Sequence, residues 1–83
     1  MSRDFITFRS ITPAQQAQRI LQRAGMDALL QRTPRVLAQA GCGYCLRPRR
    51  EQTAAAAELL RRAGVPFRGI YQEENGQWEE LTL

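Results

Sequence analysis

The stretch "GCGYCLRPRR" (residues 41–50) holds the only two cysteines of the chain, Cys42 and Cys45, spaced C-x-x-C. That spacing serves a redox dithiol, half of a soft-metal site, or one reactive thiol beside a cysteine of unrelated purpose. A thioredoxin-like dithiol needs the motif at a helix start, where the two sulfurs meet and the helix dipole acidifies one of them. Here the residues after Cys45, "YCLRPR", read as a strand. Extended at roughly 3.3 Å per residue, the chain sets the two cysteines about 10 Å apart. A disulfide tolerates roughly 7 Å between Cα atoms, so pairing requires the loop to fold back. Structural zinc wants four ligands, and the chain offers two thiols and no histidine; no metal and no cofactor are expected. A cysteine can also simply pack as a small hydrophobe, which suits Cys45 inside a strand. Cys42 is different. It stands between Gly41 and Gly43, with Arg35, Arg47, Arg49 and Arg50 near in sequence. Open backbone and neighbouring positive charge favour an accessible thiolate, the form that attacks sulfur or selenium.

Other chemistries are removed by absence. Without histidine there is no His-based triad or HExxH site. Without lysine, all 12 basic residues are arginines, and neither a Schiff base nor a P-loop is available. The net charge of +4 divides unevenly, because every arginine lies within residues 1–68 while "YQEENGQWEELTL" is acidic. The few aromatic residues form no RNA-binding motif, so the arginines read as solvated faces and nucleic acid is not an expected partner. No apolar run reaches the length of a membrane helix, and "MSRDFITFRS" lacks the pattern of a signal peptide. The expected compartment is the cytoplasm, where paired thiols tend to be chemical rather than structural.

The elements that must position Cys42 follow from an internal repeat. "AQRILQRAGM" (17–26) aligns with "AAELLRRAGV" (56–65), each a helix stopped by a glycine at the C′ position. In the first helix Thr12 is the expected cap, with Pro13 in the first turn and Gln15 closing a capping box. Its buried stripe is Ala14, Ala17, Leu21 and Ala24, with Ile20 alongside; the second helix buries Ala56, Leu59, Leu60 and Ala63. Strand candidates at 4–9, 26–32, 44–49 and 66–73 flank the helices, giving β-α-β twice. The expected fold is an α+β ferredoxin-like βαββαβ sandwich, with a four-stranded antiparallel sheet and two helices on one face. Asn75-Gly76 signals a hairpin that adds a fifth edge strand, with Trp78 anchoring it to the body. One domain spans 1–83, with a core over 4–73 and the hairpin extension over 74–83. Residues 33–43 form the longest irregular connection, and Cys42 is on it.

With the fold and loop cysteine set out, the chain resembles the selenium/sulfur carrier protein-like family, small bacterial domains also found fused to TusA/YedF-like sulfur-transfer domains. The resemblance runs from Phe5 to Tyr71. It is carried by Phe8 and Ser10, by Leu21 and Gly25, and by Thr33-Pro34-Arg35 with Leu37. Cys42-Gly43 with Leu46-Arg47 continues it, and Leu60, Gly64 and Gly69-Ile70-Tyr71 complete it. The resemblance implies that Cys42 carries a transferable sulfur or selenium atom, supported by Thr33, Pro34, Arg35, Gly41, Gly43 and Arg47, with donor and acceptor proteins as partners. Family members usually have a small apolar residue where Cys45 stands, which leaves a resolving role for Cys45 open. They often have serines where this chain has Ala38-Gln39-Ala40. A stoichiometric carrier is expected rather than an enzyme with independent turnover; a C-x-x-C redox protein and a non-catalytic protein–protein adaptor are the alternatives.

Overall fold

The computed structural model describes residues 2–38 and 43–83. In chain order these form β1 (Arg3–Phe8), α1 (Ile11–Arg23), β2 (Ala28–Arg32), the one-turn α2 (Arg35–Ala38) and β3 (Tyr44–Pro48). A 3-10 turn (Arg50–Gln52) then leads into α3 (Thr53–Arg62), followed by β4 (Gly69–Glu74) and β5 (Gln77–Leu81). The strands lie in the order β2-β3-β1-β4-β5, and every neighbouring pair is antiparallel. The first four are the expected ferredoxin-like βαββαβ sheet, in which each β-α-β unit brackets a strand of the other. The fifth is the hairpin strand.

Both repeated helices end by one device. The Met26 N–H reaches back to the Leu21 carbonyl (2.8 Å) and the Gly25 N–H to the Gln22 carbonyl (3.0 Å). At the same offset, the Val65 N–H bonds Leu60 (3.0 Å) and the Gly64 N–H bonds Arg61 (3.1 Å). These are Schellman motifs, which need positive φ at the glycine; Gly25 has φ 79° and Gly64 φ 73°. Met26 and Val65 are therefore consumed in ending the helices, and β2 and β4 start later than hydropathy alone suggests. Ala24 and Ala63 become exposed C-caps rather than core. At the other end of α1 the N-cap is Ser10, not Thr12, and the helix begins at Ile11. Pro13 is still tolerated as the third helical residue, because first-turn N–H groups have no partner within the helix.

Ala14, Ala17 and Leu21 of α1 and Ala56, Ala57 and Leu60 of α3 pack on Ile6, Phe8, Leu46 and Ile70 of the sheet. Strand alternation sends the intervening residues to the opposite face. There Phe5, Cys45 and Leu37 form a second buried cluster, with Tyr71 and Trp78 packed against it. The Phe5 and Trp78 ring centroids are 5.1 Å apart, so Trp78 ties the hairpin to the body as expected. Asn75 (φ 53°) and Gly76 (φ 81°) make the two-residue turn, whose backbone twist matches that of the paired strands. No helix among the described residues is long and apolar enough to cross a membrane.

Candidate functional site

Gly43, the residue after Cys42, is pinned between two strands. Its N–H donates to the Phe8 carbonyl (3.1 Å), and its carbonyl accepts the Thr33 N–H (3.2 Å). Gly43 therefore marks the end of the sheet where β1 and β2 finish and β3 begins. Gly43 itself is exposed, and a Cβ there would make only an ordinary 3.5 Å contact with the Arg9 carbonyl. Cys42 and Gly41 lie outside the described residues.

Each residue of the T-P-R-x-L segment has a distinct structural part. Thr33 follows β2 and is buried, with 9% exposure, yet its Oγ1 has no hydrogen-bond partner among the described residues. The Pro34 carbonyl accepts the N–H groups of Leu37 (2.9 Å) and Ala38 (3.0 Å), which starts the one-turn α2. Arg35 is exposed at the head of that turn. Leu37 is 7% exposed and plugs α2 onto Phe5 and Cys45. Cys45 is a fully buried thiol whose Sγ–H donates weakly to the Arg32 carbonyl (3.9 Å). It sits where a packing residue belongs.

The arginines sort differently in space and in sequence. Arg9 follows β1, Arg32 ends β2, Arg35 opens α2 and Arg68 precedes β4, so the topology brings all four to the Gly43 end of the sheet. The Arg32 guanidinium stands 5.6 Å from the Tyr44 ring centroid, and the Arg68 N–H donates to the Thr7 carbonyl (2.7 Å). The N-terminus of α1, with its partial positive charge, opens at this same end. Arg47, expected beside Cys42, projects from the other end of β3, roughly 13 Å along the strand from Gly43 at the usual rise per residue. Arg49 and Arg50 lie beyond it. Sequence proximity missed Arg9, Arg32 and Arg68, although the β-α-β repeat signalled that strand ends 9, 32, 43 and 68 meet. Among the described residues no group of three or more His, Cys, Asp or Glu side chains could hold a metal ion.

An antiparallel ferredoxin-like sheet with helices packed on it defines a small α+β domain. The chain belongs to the family described as "Putative Se/S carrier protein-like", which it matches over residues 4–72. No curated protein and no solved structure matches the chain.

Proposed function

We propose that this domain carries sulfur or selenium on Cys42. The observation that carries the reading is the pinning of Gly43 at the basic end of the sheet, in a chain of this family. Arg9, Arg32 and Arg35, together with the α1 N-terminus, supply a field that favours thiolate over thiol and stabilises a loaded anion. The thiolate of Cys42 attacks the terminal sulfur of a donor persulfide. A new S–S bond forms to Cys42, the donor S–S bond breaks, and its electron pair leaves on the donor thiolate. The product is Cys42–S–S⁻, or Cys42–S–Se⁻ from a selenium-loaded donor, and no external oxidant is consumed. Delivery to an acceptor reverses the same step.

Within this scheme Gly41 and Gly43 leave the thiol open to another protein, and Pro34 and Arg35 present α2 beside it. The unpartnered Thr33 hydroxyl is a ready donor to a loaded sulfur, since leaving it buried and unsatisfied costs about 1–3 kcal/mol. The burial of Cys45 favours a single carrier thiol over a working dithiol. The partners are a donor and an acceptor protein in the cytoplasm, and the domain acts stoichiometrically.

Intact mass tests this after incubation of the reduced protein with a cysteine desulfurase and either cysteine or selenocysteine, which load the donor with persulfide-level sulfur or selenium. A sulfur or selenium adduct on wild type and Cys45→Ser, absent from Cys42→Ser, is expected. An adduct that persists in Cys42→Ser overturns the assignment. Loss of two hydrogens under mild oxidant, abolished by either substitution, gives the dithiol reading instead.

A further inference from the structure

The sheet end remote from Gly43 carries a second cluster of charge that the carrier chemistry does not use. Arg3, Arg47 and Arg50 line a shallow cavity of about 250 Å³, together with Ser2, Asp4 and Leu29. Two of these guanidinium groups are organised on one ring. Arg3 lies 5.5 Å and Arg47 5.6 Å from the centroid of Phe5, which is fully buried and so fixed in place. Arg50 approaches from the 3-10 turn. Ser2 also lines the cavity, and its buried Oγ has no hydrogen-bond partner among the described residues.

Among the described residues Asp4 is the one carboxylate that lines the cavity. Asp4 accepts from Gln72 Nε2 (3.4 Å), and Glu73 holds Arg3 Nε (2.9 Å) and the Gly76 N–H (2.8 Å). Glu51, beside Arg50 in sequence, is exposed and does not line the cavity. Two guanidinium groups held on one ring, a third on the neighbouring turn and a buried hydroxyl together suit an acceptor-rich anion.

We infer that the cavity of Arg3, Arg47, Arg50 and Ser2 binds a small tetrahedral oxyanion of the phosphate or sulfate class. The donors come from the start of β1, the end of β3 and the turn before α3. An anion with acceptors facing several directions satisfies them, whereas one planar carboxylate satisfies a single fork. The ligand is either a free oxyanion or the terminal phosphate of a nucleotide. This site is independent of Cys42, and neither reading depends on the other.

The test is a heteronuclear NMR titration of the full chain with potassium phosphate, with ionic strength held constant by potassium chloride. Backbone amides and arginine Nε–H groups are both followed. Saturable shifts confined to Ser2, Arg3, Arg47 and Arg50, weakened about tenfold or more in Arg47→Gln/Arg50→Gln, are expected (tenfold corresponds to one lost good contact). Arg50→Gln and Ser2→Ala, both away from the Phe5 ring, supply the same comparison if the double variant does not fold. Adenosine monophosphate against inorganic phosphate then identifies the source of the phosphate. Tighter binding of the nucleotide at these residues assigns a nucleotide, and equal binding assigns the free ion. Shifts that chloride reproduces, that spread evenly over all arginines, or that survive the substitutions overturn the proposal.

Discussion

The two ends of the sheet are both arginine-rich, but they hold their charge differently. At the Gly43 end, Arg9, Arg32, Arg35 and Arg68 arrive from four separate strand or helix termini. At the Arg47 end, two guanidinium groups stack on Phe5 over the second core cluster, and Glu73 restrains one of them. A field spread over exposed termini suits a thiolate that must meet protein partners. A fixed cluster suits one small ligand. Charge count alone does not separate these; the support under each charge does.

The largest effect expected at the loop end is chemical. Cys42→Ser is expected to abolish the sulfur or selenium adduct read by intact mass. The largest at the other end is structural. Phe5→Ala removes a fully buried aromatic ring and the platform for both guanidinium groups. A loss of about 3–5 kcal/mol in urea unfolding is expected, with adduct formation retained wherever the chain still folds. Adduct formation lost in folded Phe5→Ala would couple the two ends and break the comparison.

A kinetic contrast sharpens it further. Arg32→Gln/Arg35→Gln is expected to slow loading of Cys42 several-fold at low salt, with the difference shrinking as salt screens the field. Arg50→Gln is expected to leave the loading rate as in wild type. Equal slowing in both would mean that overall charge, not placement, governs loading.

Glycine substitutions give a smaller, graded test. Gly64→Ala forces an alanine to positive φ and should cost about 1–2 kcal/mol. That lowers the melting temperature of a domain this size by roughly 4–16 °C. Gly43→Ala, with an ordinary 3.5 Å contact, should change stability by less than about 0.5 kcal/mol while hindering access to Cys42. The smallest effect belongs to Glu73. Its carboxyl is held below its ordinary pKa, first by the Gly76 N–H and then by Arg3. A depressed folded-state pKa means its contribution is complete above the unfolded value and fades as pH falls through the folded one. Acid titration of Glu73→Gln should therefore lack a small part of the wild-type loss of stability in that acidic window, and match wild type below it.

Much of the fold was legible because the chain states it twice. The repeat at 17–26 and 56–65 marked both helices and both stop glycines, and strand alternation did the rest. The cap of α1 was misread because Thr12-Pro13 satisfies the local pattern as well as Ser10 does. The choice was made by where β1 ends. The second cluster was not legible, since Phe5, Leu37 and Cys45 are far apart in sequence and meet only across the sheet. For the site, Thr33, Pro34 and Gly43 were readable as a segment, while Arg47 was credited by nearness in sequence to a loop that its own strand leads away from.

The sequence by itself determined the five strands and two longer helices, though not the one-turn α2 in a segment that reads as irregular, together with the two helix stops, the hairpin turn and one glycine-flanked cysteine. These depend on local φ preference and on periodicity, which neighbouring residues settle. Tertiary structure decided which arginines share an end with Gly43, that Cys45 packs under Leu37, and that Arg3 and Arg47 meet on one ring. Strand order fixes those meetings, and strand order is chosen by burying both faces of the sheet at once, a property no single segment holds.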